Sequence, residues 1–416
     1  MFLAVAVRGG ATTGLSDQYT AYETQNQLKD STSSLILTTS ANLDKVLTAS
    51  KGCPQLKTIL VLDDNIPNTL NTSLRILTWN DATSREPIYD RSKISIDVYN
   101  DLVAILYSSG TTGLPKGVML THFNYVAQIV SLAAFHAQYW SPYLDEDNEM
   151  ETQTYAIGYL PFYHAFGFLG LCTSLMRGST MVIIKKYTPE LLLSNIEKYK
   201  IKSIPTIPAL INFLAKSHLV EKYDLSSLRS ISSGAGPLDI KTADAVKRRL
   251  PHINYVFQAY GMTEMTTGTH GSNLGNKKNI GGTVGIPVPN VECKIINPET
   301  GELCKLGESG EIVVRGPTMM KGYWNNEAAT REMIDKDGWL HTGDIGYEDE
   351  DGNLFINDRI KELIKVKSFQ VPPAELEAVI LSHPDVQDVA VIGIPDEING
   401  EVPRAFVVNL EQVPVT

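Results

Sequence analysis

Between residues 101 and 275, short β-branched runs alternate with helix-forming stretches, and this alternation restricts the chain to a layered α/β architecture. Strands are expected at 103–107, 156–160, 180–184 and 202–206, with a helix around 190–199. Residues 1–100 continue the pattern with strand-like runs at 35–39 and 58–62. Strands separated by helices imply largely parallel sheets.

From about 282 to 357 the pattern changes. Runs at 292–296, 310–314 and 353–356 are separated by Gly, Pro, Asn and Asp turns, which suggests a small antiparallel sheet or barrel. After Asp358 a further unit begins, with a short strand or hinge at 360–366. Pro372-Pro373-Ala-Glu-Leu-Glu then opens a helix, with proline in the first turn and acids near the positive end. Residues 388–394 and 404–408 read as strands. The expected fold is α/β: a large multi-layer N-terminal domain over 1–358 with a β-rich subdomain at about 282–357, and a small, mobile, incomplete α+β C-terminal domain over 359–416. About 58 residues are few for a domain. The apolar opening, Met1-Phe-Leu-Ala-Val-Ala-Val, reads as the end of a buried helix, so the chain is expected to be cut at both ends.

The formal net charge of −11 argues against nucleic acid or an anionic membrane as the main partner. No apolar run reaches the ~18–20 residues of a membrane helix, and the opening run lacks the charged region of a signal peptide. Cys53, Cys172, Cys293 and Cys304 show no metal-site spacing and read as reduced, mostly buried thiols.

The sharpest chemical signal is Tyr107-Ser-Ser-Gly-Thr-Thr-Gly-Leu-Pro-Lys-Gly117. A strand enters a loop whose glycines (Gly110, Gly113, Gly117) allow close backbone approach to an anion. Its hydroxyls (Ser108, Ser109, Thr111, Thr112) donate to phosphate oxygens, and Lys116 adds charge. It is not a Walker A loop, because the lysine falls one place late, after Pro115 and before Gly117. Five more strings follow. They are Pro161-Phe-Tyr-His-Ala-Phe-Gly167, Ser233-Gly-Ala-Gly-Pro-Leu238, Gln258-Ala-Tyr-Gly-Met-Thr-Glu264, Trp339-Leu-His-Thr-Gly-Asp344, and Asp358-Arg-Ile-Lys-Glu-Leu-Ile-Lys-Val-Lys-Ser-Phe-Gln370. Asp344 offers two acceptor oxygens that suit ribose hydroxyls, and Arg359 adds charge-assisted bonds to the ribose or an α-phosphate. Taken alone, Asp344 is a turn aspartate, Glu264 a solvated carboxylate and His164 a core histidine. Lys361, Lys365 and Lys367, spaced by two, fall on one face if they lie on a strand, and alone read as an exposed basic edge.

Together, in this order and over essentially the whole chain, the six strings resemble the adenylate-forming superfamily. That superfamily includes acyl-CoA synthetases, 4-coumarate–CoA ligases, firefly-type luciferases and peptide-synthetase adenylation domains. The resemblance implies ATP-dependent, AMP-forming activation of a carboxylic acid, fatty or aryl-propenoic, followed by thioester formation with coenzyme A. It implies Mg²⁺ on Glu264 and Thr112, and phosphates on residues 108–113 and Lys116. Adenine would lie in a slot of small residues, Gly234, Ala235 and Gly236, beside Gln258, Ala259, Tyr260, Gly261 and Thr263. The resemblance places His164 at the carboxylate and adenylate, Lys361 and Lys365 on the AMP side, Gln370 at the adenylate, and Lys367 and Ser368 at the pantetheine entry. Lys116, His164, Arg359 and Lys365 are then the catalytic set. His164-Ala-Phe-Gly-Phe168 and residues 208–214 would line the acyl pocket.

The chain departs from the family in having Ser368 where glycine is usual, and in ending at Thr416 without the family's late Gly-Lys lysine. The segment 161–167 carries no acid to hold an amino group, which argues against a peptide-synthetase domain. Luciferase-like oxidation and a truncated, inactive nucleotide-binding protein stay open. Cytoplasm and peroxisome are both compatible, since a C-terminal targeting signal would lie beyond Thr416.

Overall fold

The computed structural model describes residues 1–63, 66, 72–84, 94–108, 115–144, 155–276, 281–360, 362–366, 369–383, 385–396 and 400–409. The chain divides into two units: Met1–His122 with Met320–Glu327, and Phe123–Met319 with Ala328–Thr416.

In the first unit, strands Leu35–Thr38, Thr58–Val61 and Arg75–Thr78 form a parallel sheet. Helices Ala21–Asp30 and Leu43–Ser50 help enclose a core that includes Leu28, Val46, Leu56 and Ile59. The first of these helices starts at a capping box, in which Thr20 and Glu23 satisfy each other's backbone N–H. A second sheet orders Gly322–Tyr323, Lys116–Thr121 and Leu102–Ser108. The apolar run Leu102-Val-Ala-Ile-Leu is largely buried, as a strand covered on both faces must be.

The second unit carries a five-stranded sheet in the order Ile286–Pro287, Thr267–Gly271, Tyr255–Met262, Ser230–Ser233, Ser203–Thr206. The last three are parallel. Helices Pro189–Tyr199, Pro208–Lys216 and Ile240–Arg249 contribute Leu192, Ile196, Ile211 and Val246 to a core shared with Ile204, Ile231 and Val256. Pro189 and Pro208 occupy first-turn positions, where a missing N–H costs nothing. An antiparallel sheet of Glu292–Ile296, Gly310–Arg315, Leu340–Glu348 and Leu354–Arg359 packs Ile312, Val314, Leu340 and Leu354 against Phe135 and Met265. Strands Ile364–Val366, Phe369–Val371, Val386–Asp396 and Gly400–Asn409 form the last sheet, accompanied by helix Pro373–Leu381.

Three expectations are corrected. The sheets are only partly parallel: strands 102–108 and 116–121 pair antiparallel, as do 255–262 and 267–271. Connections 109–115 and 263–266 are shorter than the dozen or so residues a parallel crossover needs. The opening run forms helix Phe2–Ala6 but buries only Ala6, with Leu3 and Val7 exposed, because a helix this short presents little more than one position inward. Of the four thiols only Cys53 is buried; the other three are half-buried.

Candidate active site

The first unit holds the ends of the 107–117 loop. Pairing of Ser108 with Lys116 brings those ends together, the last rung of a ladder that starts at Leu102 and Thr121. Tyr107 directs its hydroxyl to Asp30 Oδ2 at 2.5 Å, and burial followed by the Asp30 carboxylate pushes that phenol well above its ordinary range. Trp324 Nε1 donates to the Asp30 carbonyl at 2.8 Å, fixing the same corner. Lys116 Nζ lies 5.2 Å from the centre of the Tyr323 ring, a cation–π distance. Ser109, Gly110, Thr111, Thr112 and Gly113 lie outside the described residues.

The second unit assembles the other strings. Strand 230–233 runs into Gly234-Ala235-Gly236, where Ala235 has φ +65°, an uncommon left-handed conformation for a residue with a Cβ. Gln258 is buried, and its Oε1 accepts the Leu238 N–H at 2.9 Å, tying this loop to the neighbouring strand. The Phe166 ring lies about where a Cβ on Gly234 would touch it, at 3.4 Å, which places the 161–167 segment against the loop. His164 is exposed and stands at the N-cap of helix Ala165–Arg177, at the positive end of its dipole. It is not the core histidine that the lone residue would suggest.

Strand Tyr255–Met262 carries Ala259, Tyr260 and Gly261 and ends in a single turn, Thr263–Met265, which buries Glu264. The register slips between Tyr260 and Gly261. A Cβ on Gly261 would stand 1.6 Å from the Thr267 carbonyl oxygen, so only glycine fits there. Thr266 and Thr267 follow with φ of +58° and +137°, and Thr266 Oγ1 donates to the Thr318 carbonyl at 2.6 Å. Gln128 and Asn124, from the helix His122–Phe135, hold the Gly268, Pro317 and Met319 carbonyls. Glu264 therefore sits on a tightly held turn.

Asp344 and Arg359 face each other across paired strands. The buried Asp344 receives the Tyr260 hydroxyl on Oδ2 at 2.5 Å and Arg359 Nε on Oδ1 at 3.2 Å. Burial raises the Asp344 carboxyl above its ordinary value, opposed by Tyr260 and Arg359. Burial, then Asp344, raises the Tyr260 phenol. The chain turns immediately afterwards: Asp358 Oδ1 accepts the Arg359 N–H at 2.7 Å, and Oδ2 accepts Ala374 N–H at 3.3 Å in the first turn of helix Pro373–Leu381. Lys365 and Gln370 are register partners on the hairpin of strands 364–366 and 369–371. Lys361, Lys367 and Ser368 lie outside the described residues, as do the side chains of Lys365 and Gln370.

The second unit thus joins Tyr260, Asp344 and Arg359 in one bonded cluster, links the 234–236 loop to Gln258, and puts Glu264 a few residues from Tyr260. Sequence patterns did not point to Glu311, or to a role for His341 or Asp358. Their partners lie 16 to 32 positions away, so only strand register or chain reversal reveals them.

These are the features of a nucleotide-binding α/β enzyme with a separate C-terminal element. The AMP-binding enzyme family model matches residues 1–324, and that of the AMP-binding enzyme C-terminal domain matches residues 375–415. The chain belongs to the AMP-binding enzyme family of adenylate-forming enzymes. It is 41% identical over 395 residues to acyl-CoA synthetase 7 of Caenorhabditis elegans, covering 95% of this chain and 70% of that one. It is also 41% identical over 420 residues to 4-coumarate–CoA ligase 1 of Arabidopsis thaliana, covering 98% and 71%. The crystal structure of ATP-bound MatB from Rhodopseudomonas palustris superposes with a TM-score of 0.81 at 27% identity, over 100% of this chain and 76% of that one.

Proposed function

We propose that this protein is an AMP-forming acid–thiol ligase, which activates a carboxylic acid with ATP as an acyl-adenylate and transfers the acyl group to coenzyme A. The observation that carries the reading is the buried Asp344 carboxylate held between Tyr260 and the exposed Arg359, set beside the Glu264 turn in a chain about 41% identical to two acid–CoA ligases.

The geometry suits the first half-reaction. Asp344, oriented from both sides, presents a carboxylate to the ribose hydroxyls, and the Arg359 guanidinium lies next to it for the ribose or α-phosphate. The substrate carboxylate oxygen attacks the α-phosphorus in line, the bond to the bridging oxygen breaks, and pyrophosphate leaves. Lys116 and His164 would offset the negative charge gathering at phosphorus. Glu264, a buried hard oxygen ligand, fits Mg²⁺. Among the described residues no three His, Cys, Asp or Glu side chains gather to hold a metal by themselves; the ion would rest on this carboxylate and Thr112, with the phosphates and water completing its shell. Bound there, Mg²⁺ would supply charge neutralisation on the phosphates. In the second half-reaction the coenzyme A sulfur attacks the acyl carbonyl and AMP leaves. The hairpin carrying Lys365 and Gln370, together with Lys361, Lys367 and Ser368, would serve the adenylate and the pantetheine. The apolar Phe162, Phe166 and Phe168 favour a fatty or aryl-propenoic acid. No acid in 161–167 balances an ammonium, whose unpaired burial costs several kcal/mol.

The test is carboxylate-dependent exchange of labelled pyrophosphate into ATP over a panel of fatty, aryl-propenoic and amino acids. Thioester is assayed separately. AMP release with exchange is expected for the first two classes; orthophosphate and ADP instead would overturn the reading.

A further inference from the structure

Beneath the Asp344 cluster lies an acid that none of the motifs contains. Glu311, on strand Gly310–Arg315, is buried, and both of its oxygens are used. Oε1 accepts the Gly343 N–H at 3.2 Å, and Oε2 lies 2.9 Å from His341 Nδ1. A carboxylate oxygen accepts, so the bond calls for the His341 tautomer with its proton on Nδ1. The other ring nitrogen of His341 faces Asp335 Oδ2 at 3.6 Å, an electrostatic rather than a hydrogen-bond distance. Asp335 is itself fixed, because its Oδ1 accepts the Asp337 and Trp339 N–H groups, each at 2.8 Å.

These contacts converge on three residues, Thr342, Gly343 and Asp344. Gly343 adopts φ +72°, a conformation that glycine takes without the steric cost other residues meet. A Cβ there would touch nothing within 4 Å, so the demand on this position is conformational, not spatial. Thr342 Oγ1 donates to the Ile312 carbonyl at 2.7 Å and accepts the Asp344 N–H at 3.0 Å. The Gly343 carbonyl in turn accepts the Ile360 N–H at 2.8 Å, next to Arg359. The register between strands 310–315 and 340–348 is irregular here, because partners shift between Glu311 and Val313. The turn that aims Asp344 is therefore not held by ladder bonds alone. It is held by a side chain from the adjoining strand.

We infer that Glu311, paired with His341, is a positioning residue for nucleotide binding: it holds the Gly343 turn so that the Asp344 carboxylate meets the ribose hydroxyls. This rests on the proposed role of Asp344. Removal of the clamp lets the turn relax and misplaces Asp344 and Arg359 together. Among the described residues, the Glu311 side chain bonds to His341 and Gly343 and to no residue of 164–168 or 208–214.

The test compares steady-state kinetics and AMP binding by calorimetry for Glu311→Ala, Glu311→Gln and Asp344→Asn, with thermal melting to establish that each variant is folded. Glu311→Ala is expected to raise the ATP KM about tenfold or more, with the acid KM and kcat changed less than about threefold. Gln can accept from Gly343 through its oxygen and donate to the other tautomer of His341, so Glu311→Gln is expected to recover most of that loss. A defect that is purely structural would lower the melting temperature and the yield of active enzyme without selecting the ATP KM. An ATP KM unchanged in Glu311→Ala while Asp344→Asn raises it overturns the inference, as does a Gln variant no better than Ala. An ATP KM and AMP affinity unchanged in Asp344→Asn overturns the reading of Asp344 and removes the basis of the inference. If Glu311→Ala fails to fold, Glu311→Gln against His341→Ala decides: a raised ATP KM in the histidine variant alone supports the clamp, and no selective change in either overturns it.

Discussion

The Tyr260 hydroxyl donates to Asp344 Oδ2 at 2.5 Å, joining the central strand of the five-stranded sheet to an inner strand of the four-stranded antiparallel one. The bond serves a charged acceptor in a buried setting, where such bonds contribute roughly 1.5–3 kcal/mol. Tyr260→Phe keeps the ring and removes the donor. AMP binding by calorimetry should weaken about tenfold or more, with the acid KM nearly unchanged. Unchanged AMP affinity would show that Asp344 is oriented sufficiently by Arg359 and the Thr342 turn.

Asp344 also implies a pH dependence. Burial raises its pKa above the ordinary aspartate value of 3.8, so in the fold it gains a proton at a higher pH than an exposed aspartate would. Its contribution to stability is present below the ordinary value and is lost as pH rises through the raised one. The effect on ligand runs the other way, because the neutral acid loses acceptor capacity for ribose as pH falls through the raised value. AMP affinity measured from pH 8 downward should therefore fall on the acid side. Phosphate titration contributes too, and the part due to Asp344 is the part absent in Asp344→Asn. Parallel profiles for the two proteins would remove Asp344 from that titration.

Glu264 is buried in the one-turn helix after Met262. Glu264→Gln keeps the shape and removes the hard anionic ligand. Half-saturating Mg²⁺ for ATP use should rise by about tenfold or more, while metal-free AMP binding changes little. Equal losses in both would place Glu264 in scaffolding rather than at the metal.

Legibility of the molecule in its sequence follows the range of the interactions. The runs at 103–107 and 292–296 and the helix around 190–199 declare themselves by local periodicity and flanking turns, and they form within a residue or two of those positions. Asp344, Arg359, Tyr260 and Glu264 were legible because each sits in a short string with its own chemical logic. The antiparallel turn of strand 116–121 was not, because apolar strands look alike in either direction. Nor was Glu311, whose only signal is a register 30 positions from His341. The strained Ala235 was equally invisible, since nothing in Gly-Ala-Gly announces which residue takes positive φ.

His270 is buried next to Tyr260 in the strand pairing, and burial pushes its imidazole down to about 3 from 6.5. The unfolded chain takes up a proton as pH falls through 6.5, whereas the folded chain does not until about 3. Stability from this group is thus full above 6.5 and lost progressively toward 3. Between pH 7.5 and 4.5 the melting temperature should fall less steeply in His270→Gln than in the parent. Equal slopes would mean that His270 is protonated in the fold.

Lys216, the last residue of helix Pro208–Lys216, reaches into the C-terminal region. Its Nζ donates to the carbonyls of Leu381 at 2.9 Å, His383 at 3.4 Å and Val386 at 2.7 Å. Asn212, one helical turn earlier, donates to the Gln387 carbonyl at 2.7 Å. The Leu381 carbonyl ends helix Pro373–Leu381, where the last carbonyls lack intrahelical partners, and a cation is well placed there. Burial lowers the Lys216 pKa, yet the ammonium keeps three acceptors. Lys216→Met keeps the stem and removes all three bonds, at a cost of about 1–3 kcal/mol. Because the loss is local, amide exchange across 381–391 should accelerate about 5- to 150-fold, while strands 203–206 and 230–233 exchange as before. Lys216→Arg should restore much of the protection. Uniform acceleration throughout the second unit would instead show that this contact stabilises the whole unit, and unchanged exchange at 381–391 would show that the three bonds add nothing to the holding of the helix end.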